Sequence, residues 1–148
     1  MNNNRQKGIL YIVVPCYNEE EALETSANAL LNKLQELKQK DVIDDKSKIV
    51  LVDDGSKDRT WNIIEQFYKE DKNIIGLRFA HNRGHQNAIL AGMMYAKKNC
   101  DFTITIDADL QQDETKIKEF VQKYRAGAQI VCGIRNDRKT DDWFKKNS

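Results

Sequence analysis

Buried strands and amphipathic helices alternate along the whole of this chain, and that alternation restricts the fold more than any other feature. Continuous apolar runs predict strands covered on both faces at 9–14, 48–54, 73–80, 100–107 and 128–134. Apolar residues that recur every three or four positions predict helices at 19–39, 59–70, 84–98 and 113–125. Parallel strands need crossover connections, which helices supply. We therefore predict an α/β fold, with a Rossmann-like, open and mostly parallel sheet that carries helices on both faces.

The bulk properties indicate a single domain and exclude several classes of protein. A chain of 148 residues is long enough to bury a core, and its net charge of +1 gives no reason to expect nucleic acid as a partner. Cys16, Cys100 and Cys132 lie far apart with no CxxC pair, which argues against a disulfide framework or a zinc site. No apolar stretch approaches the roughly 20 residues of a membrane span, and the N-terminus lacks a signal-peptide core. We expect the chain as given to be soluble.

Polar loops follow each of the first four predicted strands. They read PCYNEE, DDGSKDRT, HNRGHQN and DADLQQD. Ligands bind outside the carboxyl ends of the strands in open parallel sheets, so these loops are the expected site. A simpler interpretation stays open for each, because Asp, Asn and Ser cap helices and loops are commonly polar. For DDGSKDRT, with Gly55 and Ser56, a turn and a helix cap explain the sequence about as well as a site does.

The loop DADLQQD is harder to explain by capping alone. Asp113 can cap the following helix, but Asp107 and Asp109 are not needed for that. Carboxylates this close together are tolerable when a divalent cation neutralises them. Mg²⁺ and Mn²⁺ prefer oxygen ligands, and Mg²⁺ typically takes one or two carboxylates together with substrate phosphates. The strand end therefore predicts a metal-diphosphate site, to which Gln111 adds a neutral oxygen.

Other phosphate and metal motifs are missing from the sequence. It has no GxxxxGK[ST] loop, no GxGxxG after a strand and no HExxH. A haloacid dehalogenase-type hydrolase needs its DxD after the first strand, whereas here it follows the fourth. His81 and His85 straddle a predicted strand-to-helix loop, which disfavours a metal pair; a loop or substrate-side role suits His85 better. Cys16 has no nearby base in the sequence and is interpreted as a packing residue.

Four blocks of the sequence together resemble the family 2 glycosyltransferases of GT-A fold. They are VVPCYNE (13–19), VDDGSKDRTW (52–61), NRGHQNAILAGM (82–93) and DADLQQD (107–113), and their order and spacing match over nearly the whole chain. The forms DADLQ and RGHQNA look most like the polyprenyl-phosphate sugar transferases, the branch of dolichol-phosphate mannose synthase and the bactoprenol glucosyltransferases. The resemblance implies that residues 1–148 are a nucleotide-sugar-binding glycosyltransferase domain. The C-terminal acceptor and membrane region of the family is expected to be missing.

The resemblance implies a nucleotide-binding role for residues after the first two strands. Pro15, Tyr17 and Glu19 match the segment that surrounds the base and the ribose. Val52 and Asp54 match positions that contact the base, and Asp54 is preferred to the Asp before it. Because Asp54 is predicted to lie in a loop at a strand end, its replacement is expected to spare the fold.

The resemblance also implies the residues that hold the donor diphosphate. Asp107, Ala108 and Asp109 match the DxD segment, so both aspartates are expected to be catalytic and to bind Mg²⁺ or Mn²⁺, with Asp109 and Gln111 as the leading metal contacts. A basic residue near the diphosphate is matched by Arg135. Two further residues, Arg83 and Asn87, are expected to face the donor.

The function implied is an inverting transfer of a sugar from a nucleotide-sugar to a polyprenyl phosphate. UDP-glucose is the first expectation for the donor and GDP-mannose the second. The full-length protein is expected to be membrane-associated, at the cytoplasmic face. Two alternatives stay open: a family 2 transferase that acts on a soluble or polysaccharide acceptor, and a donor-binding module without turnover in this truncated form.

Overall fold

Strands and helices alternate strictly in the computed structural model, which describes residues 6–109 and 116–129. The elements of this part of the chain are β1 (Leu10–Cys16), α1 (Leu23–Gln39), β2 (Lys48–Asp53), α2 (Thr60–Glu70), β3 (Ile74–Arg78), α3 (His85–Ala96), β4 (Phe102–Thr105) and α4 (Lys116–Arg125). Every helix and strand predicted within these ranges is present. Most of the predicted fifth strand, residues 130–134, lies outside them.

The four strands form one parallel sheet in the order β3-β2-β1-β4. In the centre, Tyr11 of β1 pairs with Lys48 of β2 and with Thr103 of β4. From β1 the chain builds outward through β2 and β3, and then returns to add β4 on the other side of β1. The direction of winding therefore reverses between β1 and β4, and this is the switch point at which ligands bind in open α/β sheets.

Both faces of the sheet are covered by helices, as predicted. Because side chains alternate along a strand, Ile12 and Val14 of β1 pack in the larger core with α1, α2 and α4, whereas Val13 faces α3. The fit under α3 is close, since a methyl group at Gly92 would lie 2.4 Å from Val13 Cγ1. The α/β prediction, with an open parallel sheet and helices on both faces, is confirmed.

Helix α1 begins at Leu23, four residues later than the periodicity predicts. Residues 20–22 form a turn instead, in which the Ala22 and Leu23 N–H groups donate to Glu19 O at 3.1 and 2.9 Å. The Glu19 N–H itself donates to Thr60 Oγ1 at 2.8 Å. The start of the helix is thus delayed because a distant loop holds the backbone that leads into it.

Cys16 ends β1 inside the core, with 1% of its surface exposed. Burial raises the pKa of its thiol well above the ordinary value, and the Sγ–H donates to Val14 O at 3.4 Å. These features agree with the interpretation of Cys16 as a packing residue. No helix among residues 6–109 and 116–129 has both the length and the apolar composition of a membrane span.

Candidate functional site

The β1–α1 and β2–α2 loops are joined at the carboxyl edge of the sheet by hydrogen bonds that run in both directions. Backbone N–H groups of each loop donate to side-chain oxygens of the other. The five bonds are Asn18 N to Ser56 Oγ (2.9 Å), Glu19 N to Thr60 Oγ1 (2.8 Å), Glu20 N to Asp58 Oδ2 (3.2 Å), Lys57 N to Asn18 Oδ1 (3.0 Å) and Arg59 N to Glu20 Oε2 (3.1 Å). We call residues 18–20 and 56–60 the cross-loop frame. It fixes the backbone that leads from β1 to Glu19.

The aspartate pair at the end of β2 is buried. Asp54 is only 3% exposed; its Oδ1 accepts a hydrogen bond from the Arg83 N–H at 2.7 Å, and its own N–H donates to Cys16 O at 2.8 Å. Asp53 is fully buried; its Oδ1 accepts from the Ser56 N–H at 3.0 Å, and its Oδ2 lies 3.5 Å from Arg78 Nε. Asp54 lies in a loop as predicted, but its carboxylate is buried and ties the end of β2 to the β3–α3 loop, so its replacement is now expected to cost some stability.

Gly55 allows the β3–α3 loop to pack directly on the β2–α2 loop. Its φ is +69°, and a methyl group there would lie 2.4 Å from both Asn82 N and His81 C. A positive φ and so close a backbone approach together require glycine. The contact brings the start of α3 to the same edge as the cross-loop frame.

Four carboxylates interact across the switch point. The pKa of Glu19, which is half-buried after β1, is raised first by desolvation and then by the charges of Asp109, Asp58 and Asp107. Asp107 and Asp109 follow β4, and Ala108 between them is buried at 2% exposure. The small buried residue leaves the Asp107 and Asp109 side chains partly or fully exposed at the edge. Negative charge from the ends of β1, β2 and β4 therefore accumulates near the position that the fold favours for a ligand.

This arrangement fits a divalent cation that is held together with a diphosphate. Among the described residues, no group of three His, Cys, Asp or Glu side chains is placed to hold a metal on its own. Mg²⁺ typically needs only one or two carboxylates when substrate phosphates supply the remaining oxygens. Asp107 and Asp109 match that requirement, and the charges that raise the pKa of Glu19 are those that a cation would offset. Gln111, the third predicted ligand, lies outside the described residues.

The remaining predicted site residues differ in how they face the edge. Tyr17 is 43% exposed directly after β1, whereas Pro15 and Val52 are buried within their strands, Val52 beneath α3. Arg83 and Asn87 are exposed at the start of α3, where Asn87 Nδ2 donates to Arg83 O at 2.6 Å. The Pro15 and Val52 side chains thus serve the packing of the sheet. The predicted donor residue Arg135 lies outside the described residues.

One contact at this edge was not predicted. His85, the first residue of α3, places Nε2 3.6 Å from Asp107 Oδ1. The sequence indicated only a loop or substrate-side role for this histidine, because nothing in its spacing links it to an acid 22 residues later.

Comparisons with known proteins agree on one family. The sequence pattern of the family described as "Glycosyl transferase family 2" matches residues 11–148. The uncharacterized glycosyltransferase YkoT of Bacillus subtilis (strain 168) is 46% identical over 140 residues, which are 95% of this chain and 42% of the relative. The bactoprenol glucosyl transferase of Shigella phage SfV is 37% identical over 137 residues, 93% of this chain and 42% of the relative. The chain thus spans less than half the length of these two relatives.

A solved structure supports the same fold. The mannosyltransferase PcManGT from Pyrobaculum calidifontis, in complex with GDP-Man and Mn²⁺, superposes on this chain with a TM-score of 0.62 at 20% identity. The match covers 87% of this chain and 36% of that one. The chain therefore has the α/β fold of the GT-A glycosyltransferases.

Proposed function

Because the chain belongs to glycosyl transferase family 2, we propose that residues 1–148 are the donor-binding domain of an inverting glycosyltransferase. The full-length protein would move a sugar from a nucleotide-sugar to a polyprenyl phosphate. The observation that carries the proposal is the parallel pairing of β1 with β4, which brings the loop that holds Glu19 and the loop that holds Asp107 and Asp109 to the same end of the sheet. The charges of these two aspartates contribute to the raised pKa of Glu19. The name of the Shigella phage relative, a bactoprenol glucosyl transferase, supports a lipid-phosphate acceptor and UDP-glucose as the first donor to test.

The nucleoside is proposed to bind beside the cross-loop frame. Tyr17 is exposed beside the cross-loop frame, so its ring is available to a base or ribose. Asp54 has one carboxylate oxygen already used by the Arg83 N–H, so its proposed contact with the base would use the other oxygen. A frame formed by backbone hydrogen bonds is ordered before the ligand arrives, which lowers the entropy cost of binding.

The diphosphate is proposed to lie over the β4 end of the edge. Asp107, Asp109 and Gln111 would hold Mg²⁺ or Mn²⁺ there, and the GDP-Man and Mn²⁺ in the PcManGT structure support this choice. When bound, the cation would offset the charge that builds on the departing nucleoside diphosphate. Arg83 and Arg135 are proposed to add positive charge near the same phosphates. The N-terminal end of α3, which has no side-chain cap, points its partial positive charge toward this edge.

The proposed reaction is a direct displacement. An oxygen of the lipid phosphate attacks the anomeric carbon from the face opposite the diphosphate; a new carbon–oxygen bond forms as the bond to the diphosphate breaks, and the configuration inverts. A phosphate acceptor is already ionised at neutral pH, so the step needs no general base, and none is assigned. The contribution of this domain is to orient the donor and to accommodate the leaving group.

A lipid acceptor would place the full-length protein at the cytoplasmic face of the membrane. The proposal is tested by incubating the full-length protein and Mn²⁺ with radiolabelled UDP-glucose or GDP-mannose and detergent-solubilised polyprenyl phosphate. Label is expected to move into the lipid fraction, and EDTA is expected to abolish the transfer. Label that enters only a soluble or polysaccharide acceptor would replace the acceptor assignment. Nucleotide-sugar binding without transfer to any acceptor would indicate a binding module.

A further inference from the structure

His85 lies next to the DxD segment in the fold, although 22 residues separate it from Asp107 in the sequence. It begins α3, and the backbone before it is held by two hydrogen bonds. Asp54 Oδ1, at the end of β2, accepts from the Arg83 N–H at 2.7 Å, and within the loop Asn82 Oδ1 accepts from the Gly84 N–H at 3.1 Å. Farther along α3, Gly92 sits directly on Val13 of β1. The backbone is therefore held against neighbouring elements both before and after His85. The backbone position from which the imidazole extends is thereby fixed.

Asp107 lies just beyond β4, whose last residue in register with β1 is Thr105, and the chain next turns at Ala108 and Asp109. Its neighbours Ile106 and Ala108 are buried, and the Ile106 N–H donates to Val13 O at 3.0 Å, so the backbone is held while the Asp107 side chain stays partly exposed. Its carboxylate is 38% exposed, and His85 Nε2 lies 3.6 Å from its Oδ1. That separation is longer than a hydrogen bond but within the range of an electrostatic contact. The imidazole thus contacts one oxygen of an acid that is proposed to bind the donor diphosphate through a cation.

We propose that His85 is a positioning residue for Asp107: its imidazole fixes one carboxylate oxygen and thereby turns the other toward the donor diphosphate and its cation. The proposal rests on the proposed function, because it assigns Asp107 to that site. Acids that ligate metals commonly depend on an outer partner for their orientation, and loss of such a partner costs about 10- to 100-fold in metal affinity. The partial positive charge at the start of α3 attracts Asp107 whatever residue stands at position 85. Only the His85 side chain contacts one particular oxygen, so only it can orient the carboxylate.

The chain offers a matched control and a conservative replacement. His81 is the only other histidine; it is exposed in the same loop, and of the contacts described above only the Gly55 packing involves it, through its backbone and not its side chain. Glutamine carries an amide nitrogen at about the reach of imidazole Nε2, so His85→Gln preserves a donor toward Asp107. His85→Ala removes it. His81→Ala changes the same loop without touching the acid.

The first measurement is calorimetric titration of UDP and of GDP into the chain, with Mn²⁺ and with EDTA. His85→Ala is expected to weaken Mn²⁺-supported binding about tenfold, while binding in EDTA and the thermal midpoint stay at wild-type values. His85→Gln should recover most of the loss, and His81→Ala should bind like wild type. In an Asp107→Asn background, His85→Ala should have no further effect. Equal losses in His85→Ala and His85→Gln, or wild-type affinity in His85→Ala, would overturn the proposal.

A second measurement tests the contact without any ligand. Nitrogen NMR of the two imidazoles is expected to show that Asp107→Asn moves the His85 Nε2 signal and leaves that of His81 in place. An unmoved His85 signal, with metal-dependent nucleotide binding intact, would overturn the His85 assignment alone. A moved signal in a protein whose UDP and GDP binding ignores Mn²⁺ would overturn the proposed function, and with it the positioning role.

Discussion

The two halves of the carboxyl edge use their polar side chains in different ways. On the β2 side, the oxygens of Ser56, Asp58 and Thr60 are engaged by backbone N–H groups of another loop, and Asp53 and Asp54 are buried. On the β4 side, Asp107 and Asp109 are partly or fully exposed. One half uses its polar groups to build the fold, and the other presents charge to solvent. Substitutions in the first half should therefore lower stability, and substitutions in the second should lower ligand affinity.

The largest effect is expected for Gly55→Ala. The new methyl group meets the backbone of His81 and Asn82 at 2.4 Å, and φ is +69°. Strain and overpacking together should lower the free energy of unfolding by about 3 kcal/mol, measured by urea denaturation. Gly84→Ala is the matched control, because its φ is +97° but no atom lies within 4 Å of the added methyl group. If both variants lose the same stability, loop packing adds nothing at Gly55.

Asp109→Asn is expected to show the opposite behaviour. It should weaken Mn²⁺-supported UDP or GDP binding by about 2 kcal/mol, because a charged contact to the cation is lost. The residue is exposed, so the free energy of unfolding should stay within about 0.5 kcal/mol of wild type. Calorimetry and urea denaturation on the same sample separate the two quantities. A variant that loses stability but keeps its affinity would remove the distinction between the two halves.

Asp54→Ala tests whether one residue can belong to both halves. It leaves the Arg83 N–H without its acceptor, so the free energy of unfolding should fall by about 1 to 2 kcal/mol. If Asp54 also contacts the base, the variant should no longer discriminate among UDP, GDP and ADP. Wild-type discrimination in a destabilised but folded variant would confine Asp54 to its structural role.

The smallest effect is expected for Glu19→Gln. Burial and the neighbouring carboxylates raise the pKa of Glu19 in the folded protein above its ordinary value of 4.5. An acid whose pKa is raised by folding contributes stability that is lost as pH rises through that range. Glu19→Gln should therefore raise the thermal midpoint slightly at about pH 7 and lose this advantage near about pH 4. Scanning calorimetry at the two pH values checks the sign, and a lower midpoint at neutral pH would contradict it.

Much of the fold could be predicted because each element has its own local pattern. The apolar run before Pro15 and the spacing of Leu23, Leu30 and Leu34 are visible in short windows of sequence. The structure confirms the strand and the helix that they predict, as β1 and α1. The late start of α1 was not visible, because it depends on Thr60, 41 residues beyond Glu19. Periodicity carries no information about contacts at that separation.

Some features of the candidate site could likewise be predicted from the sequence, and others could not. The grouping of polar, acid-rich loops at the carboxyl ends of the strands was expected, because the rule for strand ends depends only on the alternation of strands and helices. The switch point itself could be located only once the strand order was known. The burial of Asp54 was missed, because its partner Arg83 lies in another loop, 29 residues away. The inward side chain of Val52 could have been found, since it shares a strand face with Val50 and packs with it in the core beneath α3.

The central claim is that the β1/β4 edge binds a nucleoside diphosphate together with a divalent cation. The most direct measurement is calorimetric titration of UDP and GDP into the wild-type chain, first with Mn²⁺ and then with EDTA. The predicted result is that at least one nucleotide binds about tenfold or more tightly with Mn²⁺, because Asp107 and Asp109 would hold the cation together with the nucleotide phosphates. Equal affinity for both nucleotides in Mn²⁺ and in EDTA would contradict the claim.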